Sequence, residues 1–242
     1  MHLLLGVKIE FNSYLINLAL KGINRLNPHC PKQALPITPA ILVRFHESLD
    51  CSKPLDVCFW CLFLFAFFLL ARKSNLVLEN KSDKSGKYLL KSDIRFHGEV
   101  LVVSFRWTKT LQFGERLLQI PLVKSNSVLC PVSAYMKLIN LVPGSPDSPL
   151  FSFTKSKAIT YSMYQNKLKS LISDIGLNPS DYSSHSFRRG GTTLAFRAGV
   201  PSELIQLQGD WRSDVYKKYL AFSLTDKVQV ANMMDKFIVS EI

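Results

Sequence analysis

The chain has 242 residues, and its content of 47% hydrophobic and 11% aromatic residues excludes a globally disordered protein. Its 30 Lys and Arg residues outnumber 18 Asp and Glu residues, giving a formal charge of +12. A folded domain this basic is typical of proteins that bind a polyanion, either nucleic acid or an anionic membrane surface. The five scattered cysteines argue against a disulfide-stapled scaffold and indicate free thiols in a reducing compartment.

The N-terminal part of the chain is predicted to contain two helices joined by a linker. Apolar residues recur with helical periodicity over residues 9–26, and the Pro-containing basic stretch 27–36 is typical of a link between domains. Thr38 is a predicted N-cap with Pro39 at the first helical position, which opens a helix through Phe45. The first seven residues lack a basic region and a small-residue cleavage pattern, so we predict no signal peptide.

Residues 57–71 form an uncharged, strongly aromatic run. A membrane-spanning helix needs roughly 18–20 apolar residues. This shorter run therefore predicts a helix buried in the protein core and ending near Arg72, rather than a membrane segment. Cys58 and Cys61 form a C-x-x-C pattern within the run, but no second pair or histidine is nearby, so core packing is their predicted role and no metal site is expected.

The middle of the chain changes to the alternating pattern that is typical of strands. Residues 81–87 are polar and contain glycine, which predicts a loop. Short apolar or alternating runs at residues 89–90, 94–96, 100–107 and 117–122 then predict three antiparallel strands, with turns at residues 97–98 and 113–114.

Helical periodicity returns in the second half. The helices predicted there cover residues 132–142, 160–175, 185–198 with Ser184 as the N-cap, 201–209, 213–219 and 225–237. The predicted fold class is mainly α with a small antiparallel three-stranded β-sheet (α+β).

His185 and Arg188 form the first candidate site. At positions i and i+3 of a helix, the imidazole and the guanidinium project from one face and can bind two oxygens of one phosphate. Taken alone, a His-x-x-Arg is more often a solvated basic turn with a chance histidine, because the pattern is common. Gly190 and Gly191 follow directly, and they predict a place where another backbone or DNA approaches closely.

Residues 185–220, HSFRRGGTTLAFRAGVPSELIQLQGDWRSDVYKKYL, resemble the C-terminal signature of the tyrosine recombinase (phage-integrase-like) family. That signature is His-x-x-Arg, a Gly-(His/Trp) and a nucleophilic tyrosine eight or nine residues later. Arg72 after the apolar run and Lys109 between two predicted strands resemble the family's upstream arginine and its hairpin lysine. The resemblance spans about residues 35–234 and is closest to forms carried by eukaryotic mobile elements and to Cre-like recombinases.

This resemblance implies DNA recombination or integration by site-specific cleavage and rejoining through a 3′-phosphotyrosine. Tyr219 is then the nucleophile and His185 accepts its proton, while Lys109 protonates the departing 5′ oxygen. Arg72 and Arg188 stabilise the charge on the phosphate, which Trp211 also holds through its indole N–H. No metal, nucleotide or other cofactor is implied, and the implied partner is double-stranded DNA, bound by a homotetramer.

Three features depart from the family pattern. Asn75 stands where many members carry an acidic residue, and Asp210 follows Gly209 where other members have histidine, so Trp211 is taken as the functional equivalent. The interval from Trp211 to Tyr219 is one residue shorter than in the Cre-like forms. Tyr216 therefore stays open as an alternative nucleophile.

Further basic residues are predicted to neutralise DNA phosphates, although a solvated basic face explains each of them as well. They are Arg106, Lys124, Arg189, Arg197, Arg212 and Lys217.

The resemblance also predicts the domain organisation. Residues 1–35 would be the last helix and linker of a truncated N-terminal core-binding domain, and residues 36–242 the catalytic domain. A catalytically inactive, domesticated DNA-binding domain derived from a mobile element is the alternative function. The predicted location is the nucleus if the source is eukaryotic, with no membrane association.

Overall fold

The computed structural model describes residues 14–26, 33–111 and 117–220, together with the single positions 228, 232 and 234. The chain divides into two compact units, Met1–Gln33 and Ala34–Ile242. The described part of the first unit consists of the helix α1, Tyr14–Leu26, and Gln33. The predicted start of this helix at residue 9, the turn at 113–114 and the helix over 225–237 lie outside the continuous described ranges.

The described part of the second unit is mainly helical and contains one small sheet. Its helices are α2 (Pro39–Ser48), α3 (Pro54–Phe68), α4 (Lys73–Leu76), α5 (Pro131–Leu141), α6 (Tyr161–Asp174), α7 (His185–Arg197) and α8 (Ser202–Gln208). Its strands are β1 (Ile94–His97), β2 (Val100–Phe105) and β3 (Leu118–Val123), and 3₁₀ turns occupy Lys91–Asp93, Pro179–Asp181 and Asp214–Tyr219.

Helix α3 is the centre of the core. It is apolar on every side, and each residue from Val57 to Phe67 is buried, as the uncharged run predicted. The Phe63 ring lies 5.1 Å from the ring of Phe187 on α7 and 5.8 Å from that of Phe45 on α2. The helix ends at Phe68, four residues before Arg72. No helix within the described ranges is long and apolar enough to cross a membrane.

The N-cap predicted for α2 is present in the structure, and the N-cap predicted for α7 is not. The Thr38 side chain accepts a hydrogen bond from the Ile41 N–H at 3.3 Å, which confirms the predicted cap of α2. The prediction that Ser184 caps α7 was wrong, because its backbone is already helical and its hydroxyl makes no capping bond. The neighbouring Ser183 hydroxyl accepts the His185 N–H at 3.3 Å instead.

The sheet is antiparallel in the order β1-β2-β3. Its inner face packs Leu101 and Val103 of β2 beside Ile120 and Leu122 of β3 into the core. Pro121 lies on β3 at an exposed position of an edge strand, where the missing N–H is tolerated. The chain leaves β2 at Phe105 and enters the segment that carries Lys109.

Two adjacent glycines let α7 lie against the backbone of its neighbours. A Cβ on Gly190 would overlap the carbonyl of Ile37, and a Cβ on Gly191 would overlap the carbonyl of Phe67 near the end of α3. The close approach predicted at this pair is therefore made by protein backbone. It fixes the distance between α7, which carries His185 and Arg188, and the turn at residues 69–72.

Candidate active site

Arg188 lies at the centre of the candidate site. Its side chain is 1% exposed, and its two terminal nitrogens donate to backbone carbonyls, Nη1 to Leu70 and Nη2 to Gly209 at 2.6 Å. The guanidinium carbon lies 3.8 Å from the centroid of the Trp211 ring. A buried guanidinium that is stacked and hydrogen-bonded in this way has one orientation before any ligand arrives.

The two backbone segments that supply carbonyl acceptors to Arg188 each contain a residue in an uncommon conformation. Leu70 has a φ of +50° and Asp210 a φ of +53°, and within the described ranges these are the non-glycine residues with positive φ. A bulky leucine in this region is strained. The turn at Leu70 presents its own carbonyl to Arg188, while Asp210 directly follows Gly209, whose carbonyl also accepts from Arg188.

Arg72 is the second cation of the site. It precedes the short helix α4, its side chain is 17% exposed, and its Nη1 lies 3.9 Å from the Asp210 carboxylate. Burial, followed by the nearby charge of Arg72, lowers the pKa of Arg188 to about 9, while Tyr219 and Asp210 oppose that shift. Two arginines so close to one buried carboxylate leave a net positive charge at the site.

Lys109 lies on the segment that follows β2, which we call the lysine arm (residues 107–110). The Lys109 side chain is exposed, and the residues on either side of it, Thr108 and Thr110, direct their hydroxyls to the Asp210 carboxylate. Asn75 donates through Nδ2 to the Trp107 carbonyl at 2.7 Å. The arm is thereby joined to the segments that carry Arg72 and Trp211.

The two tyrosines of the 3₁₀ turn Asp214–Tyr219 occupy different environments. Tyr216 is 4% exposed and packs in an apolar cluster with Leu70, Ile205 and Trp211. Tyr219 is half-buried, and its ring centroid lies 5.3 Å from the Arg188 guanidinium carbon and 6.4 Å from the His185 ring. Tyr219 therefore combines partial exposure with proximity to the cations, whereas Tyr216 is a core residue.

Two donors at the site have no hydrogen-bond partner among the described residues. They are the indole N–H of Trp211 and the Nε–H of Arg188, both of which are buried. Buried donors are nearly always satisfied in folded proteins, so such a pair marks a place where an acceptor is missing. Because both are N–H groups beside two arginines, an anion is the acceptor that suits them.

His185 is expected to titrate below the ordinary range in the free protein. Although His185 is exposed at the surface, desolvation of its ring by the surrounding protein lowers its pKa from 6.5, and the charges of Arg188, Arg72 and Lys73 lower it further. The imidazole is then neutral at pH 7, and its contribution to stability is present above pH about 6.5 and is lost as the pH falls through the folded-state pKa.

An NMR titration of the free chain, with the His185 signal assigned by its absence from His185→Gln, should give a midpoint below 6.5. A midpoint at or above 6.5 would show that the surrounding cations do not act on the ring.

The remaining predicted DNA contacts are placed in several different environments. Arg106 forms a two-point ion pair with the buried Asp93, at 2.8 and 2.9 Å, and Lys217 pairs with Asp214 at 2.6 Å. The Arg212 guanidinium donates to the Thr110 carbonyl at 2.7 Å, and Arg189 donates to the Leu220 carbonyl at 3.4 Å. The side chains of Lys124 and Arg197 are exposed.

Sequence reasoning missed several groups of this site. It treated Asp210 only as a departure from a pattern, and it did not single out Thr108, Thr110 or the carbonyls of Leu70 and Gly209. The Thr-Lys-Thr sequence around Lys109 was visible, but nothing in it indicated a partner about 100 residues away. The described residues contain no cluster of metal-ligating side chains. Cys51, Cys58, Cys61 and Cys130 are free thiols.

No family model matches the sequence, and no curated protein matches it. Solved structures do. The site-specific recombinase XerH, bound to palindromic difH substrate in a post-cleavage complex, is 17% identical with a TM-score of 0.61, over 84% of this chain and 54% of XerH. A Tn1549 transposon integrase variant in complex with circular intermediate DNA is 14% identical with a TM-score of 0.58, over 88% and 69%. The XerA recombinase is 14% identical with a TM-score of 0.55, over 94% and 76%.

At these identities the likeness shows a shared fold, which confirms the predicted fold class and the fold that the resemblance implied. The match spans about half the length of XerH.

Proposed function

We propose that this chain, which has the catalytic-domain fold of the tyrosine recombinases, cuts and rejoins DNA through a covalent link to Tyr219. The observation that carries the proposal is the position of the half-buried Tyr219 ring beside Arg188 and His185. Two groups of α7 and one of the 3₁₀ turn thereby lie close together, next to two buried N–H donors that have no acceptor among the described residues. A DNA phosphate supplies the negative charge and the oxygen atoms that such a site requires.

The proposed reaction is an in-line displacement at phosphorus. The Tyr219 hydroxyl oxygen forms the new bond to the phosphate, the bond to the 5′ oxygen of the next nucleotide breaks, and the product is a 3′-phosphotyrosine with a free 5′ hydroxyl. Rejoining reverses these steps with the 5′ hydroxyl of a partner strand as nucleophile. Charge on the phosphate oxygens is stabilised by Arg188, fixed in advance by two carbonyls and the Trp211 ring, and by Arg72.

Two proton transfers accompany the displacement. A phenol with a pKa near 10 is a weak nucleophile at neutral pH. His185 accepts its proton, and the lowered pKa of His185 supports this role because a neutral imidazole is available as a base. Lys109 donates a proton to the departing 5′ oxygen. Its side chain is exposed on the lysine arm, on the surface where a strand would bind.

The formal charge of +12 supports double-stranded DNA as the partner. The XerH and Tn1549 integrase structures are themselves complexes with DNA. Among the surface cations proposed to contact phosphates, Lys124 and Arg197 are exposed, whereas Arg106 and Lys217 pair with carboxylates. Arg106 and Lys217 would first have to exchange those partners.

The test is to trap the covalent intermediate with a suicide DNA substrate. Each substrate carries a nick at a fixed position, so that where cleavage occurs close to it the released 5′-hydroxyl fragment diffuses away and religation fails. Because the target sequence is unknown, a randomised duplex library with a labelled strand is used with the full chain, followed by a denaturing gel. We expect a labelled band that survives denaturation and disappears after protease treatment.

DNA binding without such a band would instead favour the alternative of a catalytically inactive DNA-binding domain. Binding is measured separately on the same library by a mobility shift at low salt, where phosphate contacts are strongest.

A further inference from the structure

We infer that Asp210 is a positioning residue, which holds the lysine arm so that Lys109 can deliver its proton; this inference rests on the proposed function. Asp210 is 4% exposed, and its carboxylate accepts hydrogen bonds from the Thr108 and Thr110 hydroxyls. A buried carboxylate is costly unless its charge and its lone pairs find partners. Here two partners belong to the lysine arm, and Arg72, 3.9 Å away, supplies the opposite charge.

The arrangement fixes the arm from more than one direction. The Asp210 backbone carbonyl lies 3.3 Å from the Thr110 hydroxyl, so both the side chain and the main chain of Asp210 contact this residue. Arg212, two positions later, donates to the Thr110 carbonyl at 2.7 Å. From the other side, the Asn75 side chain donates to the Trp107 carbonyl at 2.7 Å. Lys109 is thus the exposed residue of a segment whose neighbours on both sides are anchored.

These contacts connect two of the departures from the family pattern. Asn75 occupies a position where an acidic residue is common, and Asp210 occupies one where histidine is common. In this chain the buried carboxylate beside Arg72 belongs to Asp210. The Asn75 amide donates to the Trp107 carbonyl of the lysine arm. The side chains at positions 75 and 210 therefore belong to one local arrangement around the arm.

Because Asp210 is inferred to act through Lys109, its removal should affect one step of the proposed reaction. Loss of the carboxylate should weaken proton donation to the leaving 5′ oxygen. The Arg188 contacts with Leu70 and Gly209 involve backbone carbonyls and do not require the Asp210 side chain. A substrate whose leaving atom is sulfur separates these effects, since a thiolate of pKa near 8.5 departs without the proton that an alkoxide needs.

The first experiment compares Asp210→Asn with the unmodified chain on suicide substrates that have oxygen or sulfur at the 5′ bridging position. With oxygen, we expect cleavage about 10- to 100-fold slower, because a displaced general acid loses much of its effect. With sulfur, the rate should return to that of the unmodified chain. Thr110→Val removes the hydroxyl that bonds to the Asp210 carboxylate, and its cleavage rates on both substrates should match those of Asp210→Asn. Lys109→Ala shows the rates expected when the general acid is lost completely.

Glu203→Gln is the matched control. It removes one exposed carboxylate from α8, close in sequence to Asp210, and among the described residues Glu203 has no hydrogen bond or ion pair with the arm. Equal slowing of Asp210→Asn on both substrates would overturn the inference, because it would place the effect outside proton donation. Unchanged cleavage of the oxygen substrate would overturn it as well.

A second measurement does not need activity and separates this inference from the proposed function. The Thr108 N–H bonds to the Leu111 carbonyl at 3.1 Å, and the Leu111 N–H returns to Thr108 at 3.2 Å. Amide hydrogen exchange at Thr108 and Leu111 should accelerate about tenfold or more in Asp210→Asn and Thr110→Val, but not in Glu203→Gln. If the unmodified chain forms no covalent product, the proposed function fails, whereas unchanged exchange in both arm variants would refute the positioning role.

Discussion

Tyr219→Phe is expected to abolish the covalent protein–DNA product, while Tyr216→Phe keeps it. Phenylalanine has no oxygen to form the bond to phosphorus, so the loss at the nucleophile should be complete. Both changes preserve the ring, and therefore the packing of Tyr219 against Trp211, at 5.3 Å, and of Tyr216 against Trp211, at 6.0 Å, is retained. Each variant should lose no more than about 1.5 kcal/mol of folding free energy for its missing hydroxyl.

The measurement is the suicide-substrate gel, run beside a mobility shift that reports DNA binding. Tyr219→Phe should bind DNA as the unmodified chain does and give no covalent band. If the band instead vanished in Tyr216→Phe and persisted in Tyr219→Phe, the nucleophile would be Tyr216. That result would require the 3₁₀ turn to rearrange on DNA, because Tyr216 is 4% exposed in the free protein.

Gly191→Ala is expected to destabilise the domain by about 3 kcal/mol, which corresponds to a fall in Tm of about 6–12 °C. The added methyl group would overlap the Phe67 carbonyl and a Leu70 methyl carbon, and a backbone carbonyl at the end of a buried helix cannot move aside as a flexible side chain can. Helix α7 must then separate from α3, which also moves Arg188 away from the Leu70 carbonyl.

Thermal unfolding followed by circular dichroism tests this expectation. Gly22→Ala in α1 is a suitable comparison, since it is also a helical glycine but a methyl group there meets no atom within 4 Å. That change should be neutral or slightly stabilising, because alanine favours a helix over glycine. Similar Tm values for the Gly191 variant and the unmodified chain would mean that α7 and α3 are not as closely packed as described.

The main elements of the fold could be predicted because each depends on local sequence. The uncharged aromatic run has no polar side to expose, so burial of α3 followed directly from its composition. Alternation located β1, β2 and β3, and the Thr38-Pro39 pair located the start of α2. The end of α3 was predicted too late, because residues 69–71 are as apolar as the helix but turn through the left-handed conformation of Leu70.

Residues of the candidate site could be predicted only where the residue type and its motif indicate a chemical role. Arg72, Arg188, His185 and Tyr219 were selected in this way, and the fold brings them to one place. Asp210 could not be selected, because its role depends on a contact with threonines about 100 positions earlier. Arg106 was selected as a phosphate contact from its charge, and nothing in its local sequence indicated that the carboxylate of Asp93 lies beside it in the fold.

The hydrogen bonds that hold the candidate site together join distant parts of the chain, which affects how the domain folds. Arg188 and Leu70 are 118 positions apart, and Thr108 and Asp210 are 102 positions apart. Contacts of such high sequence separation form slowly, since a long loop must close before they stabilise anything. We therefore expect the site to form with the global folding transition, and the aromatic surface of α3 to stay exposed until then. Partially folded chains should for this reason aggregate readily, and recovery of the proposed cleavage during refolding should report completion of the whole domain.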